Sequence, residues 1–176
     1  YMRMYHHKYL ELLREACTKF NVHLIADEIA VGFGRTGTMF GFEQAKITPD
    51  IICLSKGITG GYMTLSTILT TDDIYDAFYD EYEKLNAFLH SHSYTANPIA
   101  CSAANATLNL FKKKKVVENN KKLSLHMKKC FESLNEHPHV SDVRQKGMVL
   151  AIELVKNKKK KISYDWKERR GIKAYL

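Results

Sequence analysis

The sequence predicts an α/β protein built around a mainly parallel sheet. Val22-His23-Leu24-Ile25-Ala26 and Ile51-Ile52-Cys53-Leu54-Ser55 are short, continuous apolar runs, the pattern of strands covered on both faces. Each ends abruptly in charge, at Asp27-Glu28 and at Lys56, as strands do whose carboxyl ends open on a functional crevice. Segments with helical spacing lie before and after them.

The elements follow in order. Leu12, Leu13, Ala16 and Phe20 recur at helical spacing over residues 8–20, and Asn21 supplies a stop. The first strand then leads into a glycine-rich loop and a short helical stretch near residues 42–45. Pro49-Asp50 introduces the second strand. Beyond Gly60-Gly61, residues 63–70 are rich in Thr, Leu and Ile and predict a third strand, with Asp72 capping a helix over residues 72–85. Asn97-Pro98 opens the next helix, whose Ala100, Ser102, Ala103, Ala104 and Ala106 allow close packing on a sheet. Val116, Leu123, Met127, Phe131 and Leu134 form the apolar stripe of a strongly basic helix that Pro138 ends. Residues 140–144 and 148–155 predict a strand pair around Lys146-Gly147, and residues 166–176 have helical composition. A change of domain is expected near residues 111–120. Residues 1–111 would belong to a large domain, and residues 112–176 would form a linking helix and the start of a smaller α+β domain.

The 176 residues, 45% hydrophobic and 26% charged, have the composition of a folded chain and exclude a disordered one. No apolar run approaches the roughly 18 to 20 residues that cross a bilayer, and Tyr1-Met2-Arg3-Met4-Tyr5-His6-His7 lacks the apolar core of a signal peptide. A soluble, cytoplasmic protein without a membrane partner is expected. Cys17, Cys53, Cys101 and Cys130 lie 36, 48 and 29 residues apart, which suits reduced thiols rather than a zinc site or a disulfide framework. His6-His7, His90-x-His92 and His137-x-His139 have no carboxylate or cysteine at ligand spacing, so no metal is expected.

The net charge of +8 is unevenly placed. Residues 1–110 carry 8 Lys and Arg against 12 Asp and Glu, whereas residues 111–176 carry 19 against 7. Lys112–Lys115 and Lys158–Lys161 dominate the basic part. No aromatic residues interleave with them to stack bases, so they read as solvated helix ends and loops and not as a nucleic-acid surface.

The chemistry lies at the ends of the two apolar strands. An aspartate and a lysine there would stand at the same edge of one sheet, either as a salt bridge or as working groups. The second arrangement suits pyridoxal 5′-phosphate. A lysine amine forms a Schiff base with the cofactor's aldehyde, and a carboxylate opposite the pyridine nitrogen keeps that nitrogen protonated.

Longer stretches carry a more specific signal. Asp27-Glu28-Ile29-Ala30-Val31-Gly32-Phe33-Gly34-Arg35-Thr36-Gly37, then Ser55-Lys56-Gly57-Ile58-Thr59-Gly60-Gly61, then the segment from His90 to Pro98 resemble, in order and spacing, the signature series of the class III, fold-type I aminotransferases. Ala30 stands where relatives acting on ornithine, acetylornithine or 4-aminobutyrate usually carry glutamine. With Thr59-Gly60-Gly61-Tyr62-Met63-Thr64-Leu65-Ser66 and Leu69-Thr70-Thr71, it resembles the members that serve biotin biosynthesis. The likeness continues through Asn97-Pro98-Ile99-Ala100-Cys101 to residues 140–153 and 168–175, and so covers nearly the whole chain.

The resemblance implies a fold-type I large-domain segment, the beginning of the small domain, and pyridoxal 5′-phosphate as cofactor. It implies that Lys56 bears the cofactor and moves the proton between substrate carbon and C4′, and that Asp27 is the partner of the pyridine nitrogen. His92-Ser93 would reach the phosphate from the neighbouring subunit, making a homodimer part of the site. Ser91 stands where the family commonly has glycine near substrate. Arg35 matches an arginine that either touches substrate or holds its glycine loop. The implied reaction moves an amino group onto 8-amino-7-oxononanoate from S-adenosylmethionine or, in some members, lysine. Another class III reaction, on an ω-amino acid or diamine, is the alternative. The family's phosphate cradle, ring-stacking aromatic and substrate aromatics would precede Tyr1, and its substrate-carboxylate arginine would follow Leu176. Little or no turnover is therefore expected of these 176 residues alone.

Overall fold

Strand pairing in the computed structural model starts from the two apolar runs. The structure describes residues 2–175; Tyr1 and Leu176, the outer limits of the two expected domain segments, lie outside the described residues. The chain divides into two compact units, one of Tyr5–Val117 and one of the described residues from Glu118 onward together with those up to Met4.

In the first unit, β1 (Ile25–Asp27) and β2 (Ile51–Leu54) pair in parallel, with Ile25 opposite Ile51 and Asp27 opposite Cys53. A third strand, β3 (Thr67–Thr70), runs antiparallel along the other side of β2 and completes the order β1-β2-β3. The strands are shorter than the apolar runs. Residues 22–24 enter as extended chain, although the Leu24 carbonyl already accepts from the N–H groups of Asp50 and Ile51. Only one face of the sheet is covered by this chain: Leu24 and Leu54 are buried, whereas Ile25 is 59% and Ile68 62% exposed. The expectation of cover on both faces therefore fails for these residues.

Helix α1 (His7–Lys19) lies where the Leu12, Leu13, Ala16 and Phe20 spacing predicted it and closes on Phe20, whose N–H donates to the Ala16 carbonyl, while the Asn21 N–H donates to that of Thr18. It is pinned to the sheet entry through Asp50. That carboxylate accepts from Arg14 Nη1 at 2.7 Å and from the Leu24 N–H at 2.6 Å.

The helix expected over residues 72–85 is mostly absent. Only α2 (Asp72–Asp76) forms, followed by a turn and a single 3-10 turn at Tyr82–Lys84. Two causes are visible. Tyr75, Phe78 and Tyr79 stay exposed and meet only neighbouring aromatic rings, so no buried stripe sustains the helix. Asp80 also draws the chain into local bonds, accepting from the Glu81 N–H, Lys84 Nζ and Asn86 Nδ2.

The next helix starts as its sequence predicts. The Asn97 side chain accepts from the N–H groups of Ile99 and Ala100, and Pro98 occupies the first turn of α3 (Pro98–Lys114). Ala100, Ala104 and Thr107 form its buried face. With no bulk there, the helix packs on the 3-10 turn of Lys56–Thr59 that follows β2. Phe33, Leu54, Ile58 and Ala104 make the core, edged by Met39, Phe40, Ile52, Leu65 and Phe111.

In the second unit, α4 (Val116–Phe131) runs on into a 3-10 turn at Glu132–Glu136. Its stripe is half covered, with Met127 and Leu134 partly buried and Leu123 exposed. The predicted strand pair is β4 (Val140–Lys146) and β5 (Val149–Asn157), antiparallel around Gly147 at φ 57°. A short β6 (Ile162–Ser163) pairs with β5, and α5 (Arg170–Tyr175) follows. Val140, Ala151 and Val155 are buried. Among the described residues no helix is long and apolar enough to cross a membrane, and no cluster of His, Cys, Asp and Glu could hold a metal ion.

Candidate active site

Because β1 and β2 run in parallel, their carboxyl ends open on one edge, and the chain leaves that edge through Asp27 and Lys56. The ladder extends one residue past Asp27, with the Glu28 N–H donating to the Cys53 carbonyl at 3.0 Å. Asp27 is exposed, and its Oδ1 accepts from the Ile29 N–H at 3.0 Å. Lys56 is exposed at the start of its 3-10 turn, with φ 44°. Among the described residues no ion pair joins Lys56 to Asp27, so the alternative of a structural salt bridge is not built.

The loop between these two residues is held from inside. Glu28 is 3% exposed; its carboxylate accepts from the N–H groups of Gly41 at 2.9 Å and Phe42 at 3.0 Å. Burial pushes its carboxyl pKa up, and the two N–H donors pull part of that back. Gly32 follows from the same bend, since a Cβ there would meet the Glu28 carbonyl oxygen at 2.7 Å. Gln44 Nε2 then bridges the Thr36 carbonyl at 3.0 Å and Thr38 Oγ1 at 3.1 Å, closing the segment that carries the exposed Arg35. On the lysine side, Ser55 Oγ donates to the Leu65 carbonyl at 2.7 Å and Thr59 Oγ1 to the Met63 carbonyl at 2.6 Å.

Ser91, His92 and Ser93 lie later in the chain and take no part in the bonds described at this edge. All three are exposed in the segment ahead of α3, where the His92 N–H donates to Thr95 Oγ1 and the Tyr94 N–H to His92 Nδ1, both at 3.1 Å. No hydrogen bond among the described residues links them to Asp27 or Lys56. The fold thus brings the ends of β1 and β2, with Asp27 and Lys56, to one edge and places Arg35 on the loop leaving it. Sequence reasoning passed over the work of Glu28, Gln44 and Phe33. The signal for Glu28 was present, since Leu24-x-Ala26-x-Glu28 puts it on the buried face by alternation.

Residues 2–174 match the family model described as aminotransferase class-III. The chain belongs to the class III aminotransferases. It is 49% identical over 166 residues to the adenosylmethionine-8-amino-7-oxononanoate aminotransferase of Helicobacter pylori, covering 92% of this chain and 38% of that protein. The crystal structure of the like-named enzyme from Methanocaldococcus jannaschii superposes with a TM-score of 0.88 at 44% identity, over 93% of this chain and 38% of that one. A thermostable ω-transaminase from Pseudomonas jessenii gives a TM-score of 0.84 at 31% identity, over 89% of this chain and 35% of its own. The chain therefore spans less than two fifths of the length of these class III relatives.

Class III aminotransferases use pyridoxal 5′-phosphate. The donor set at the edge fits that group. Lys56 offers a primary amine that no carboxylate among the described residues engages, and Asp27 has a second oxygen beyond the one taken by Ile29. Such a cofactor requires an acceptor for its ring N–H and an amine for its aldehyde, and a free carboxylate oxygen and a primary amine are groups of those kinds.

Proposed function

We propose that the protein carrying this chain transfers an amino group from S-adenosylmethionine to the oxo carbon of 8-amino-7-oxononanoate, giving 7,8-diaminononanoate in biotin biosynthesis, as a cytoplasmic homodimer. The observation that carries the reading is the parallel pairing of β1 and β2, which sets Asp27 and Lys56 at the same edge with no ion pair between them. The choice of substrate is supported by 40–49% identity to eight proteins of that name. Four free cysteines suit a reducing compartment.

When bound, pyridoxal 5′-phosphate supplies an electron sink for the carbanion formed at the amine-bearing carbon. Lys56 Nζ would hold the cofactor through its aldehyde carbon. As the base, Lys56 would move the proton between the substrate carbon and C4′. In the second half of the cycle Lys56 runs the same transfer in reverse, so donor and acceptor use one site in turn. The free oxygen of Asp27 accepts the ring N–H and keeps that nitrogen protonated. Arg35 either faces the substrate or holds its loop, and Ser91 lies near the substrate. His92 and Ser93 reach the phosphate of the neighbouring subunit. The exposed aromatic residues from Tyr75 to Tyr94 support such a contact between subunits.

In this reading residues 1–111 belong to the large cofactor-binding domain, and residues 112–176 form the linking helix and the start of the small one. The break after Val117 supports a boundary in that stretch. The likeness to ω-transaminases favours one second reading, an ω-amino acid or diamine substrate. Borohydride reduction of the cofactor-loaded full-length protein, followed by peptide mapping, tests the site; a pyridoxyl label on any residue but Lys56 overturns it. Turnover with 8-amino-7-oxononanoate, measured against a panel of oxo acceptors with S-adenosylmethionine or lysine as donor, separates the two substrate readings.

A further inference from the structure

Lys56 occupies a backbone conformation that a side chain disfavours. Its φ of 44° lies in the left-handed region, where Cβ crowds the neighbouring carbonyl. Phe33, six residues beyond Asp27, lies in the same region at φ 58°. Neither is glycine, so the surroundings must hold both in place.

The ring of Phe33 is fixed by the core. It is 7% exposed and meets Phe40 edge-on at 5.8 Å and Phe111 edge-on at 6.2 Å between ring centres. It clusters with Leu54, Ile58 and Ala104. It also meets the backbone beside the lysine. A Cβ at Gly57 would lie 2.8 Å from Phe33 Cδ2, 2.9 Å from its Cβ and 3.0 Å from Cγ. The ring therefore presses on the one residue next to Lys56 that has no side chain to resist it.

We propose that Phe33 is the positioning residue of Lys56: wedged against Gly57, it fixes the left-handed backbone from which the lysine amine reaches the cofactor. The inference rests on the reading of Lys56 as the cofactor-bearing residue. It gives the loop from Asp27 and the turn at Lys56 a packing contact through which each can constrain the other without a hydrogen bond or ion pair between the two groups. The loop that begins at Asp27 is tied down by Glu28 at one end and carries Phe33 against the lysine turn at the other. The Asp27-to-Lys56 spacing is then held through packing, and a rigid cofactor ring requires that spacing to be fixed.

The test uses the full-length protein with Phe33→Ala, Phe33→Met, Gly57→Ala and the double variant Gly57→Ala/Phe33→Ala. Four quantities are read: cofactor affinity, the pH titration of the cofactor's visible absorbance, kcat and KM, and the melting temperature of the cofactor-free protein. Misplacing the amine by about 1 Å predicts a fall in kcat of about a hundredfold for Phe33→Ala. KM should stay within about threefold, the pattern of an interaction made in the transition state alone. Cofactor binding should weaken by about tenfold as preorganisation is lost, and the absorbance titration should move. Gly57→Ala should act in the same direction. The double variant should recover part of the Gly57→Ala loss, because the smaller side chain vacates the space the new methyl needs. Phe33→Met, which keeps most of the volume, should stay near wild type.

A Phe33→Ala or Gly57→Ala protein that binds cofactor and titrates like wild type overturns the proposal, as does a change in melting temperature with an unmoved absorbance titration. Should Phe33→Ala fail to fold, Gly57→Ala decides alone by the same titration. A borohydride label away from Lys56 in the wild-type protein is a different failure and overturns the function reading itself.

Discussion

Replacing Glu28 by alanine removes the acceptor for two N–H groups at once, those of Gly41 at 2.9 Å and Phe42 at 3.0 Å. Neither can turn to water without opening the loop, because the residue they bind is 3% exposed. A buried donor left unpaired costs about 1–3 kcal/mol, so two with partial relaxation cost about 3 kcal/mol. Glutamine keeps one carbonyl oxygen for one of the two donors but turns an NH2 towards the other, which sets its cost near half of that. Since every 1.4 kcal/mol is tenfold, amide exchange at residues 41 and 42 should speed up about a hundredfold in Glu28→Ala and about tenfold in Glu28→Gln. The pH dependence carries a definite sign. Burial raises the Glu28 pKa, with Glu43 and Asp27 adding to it, so this group stabilises the fold most below the ordinary carboxylate range and loses that contribution as pH rises through its folded pKa. The deficit of Glu28→Gln should therefore shrink across that interval. Hydrogen exchange of the full-length protein, read peptide by peptide between pH 4 and 8, is the assay. Unchanged exchange at residues 41–42 in Glu28→Ala, or a glutamine deficit that grows with pH, would refute the reasoning.

Asp50→Asn should destabilise the full-length protein by about 1–3 kcal/mol, because it weakens bonds from the Leu24 N–H and Arg14 to a charged acceptor. Those bonds hold the Asp50 pKa below its usual value, so the deficit should be complete at neutral pH and close as pH falls below about 4; thermal unfolding against pH checks it, and a deficit that persists in acid contradicts it. The 176 residues expressed alone should show little or no transaminase turnover and elute with aggregates, given the exposure of Ile25, Ile68, Phe88 and Leu89. A monodisperse elution with turnover that Lys56→Ala abolishes would count against that expectation.

The parts legible in the sequence were those where local rules and tertiary packing agree. Asn97-Pro98 announced α3 because a side-chain acceptor and a residue with no N–H to lose both suit a helix start, and the tertiary fold had no reason to override them. The two apolar runs announced β1 and β2, and their charged ends marked the candidate site. The helix expected over residues 72–85 failed where the rules conflict. Its aromatic residues have helical spacing, but in this chain they remain exposed, and Asp80 competes for the backbone. The contacts around Gly57 were illegible for another reason. A glycine beside a reactive lysine reads as a turn, and only the coordinates show that the ring of Phe33 occupies the space a side chain would need.

Strand alternation also assigns neighbouring carboxylates to opposite tasks. Leu24, Ala26 and Glu28 face the covered side of the sheet, while Ile25 and Asp27 face the side this chain leaves open. A slip of one residue in the β1–β2 register would reverse both sets. Asp27 would enter the core beside Leu54 and Phe33 without a partner, and Glu28 would lose the two N–H groups that make its burial tolerable. The register is therefore specified by the core, by means unconnected with catalysis, and one consequence is that the carboxylate at position 27 keeps an oxygen available. Its neighbour spends both of its oxygens on the loop. Two acids adjacent in sequence thus differ in role because a period of two separates them, and the apolar pattern that folds the sheet is also what leaves Asp27 free to accept from a cofactor.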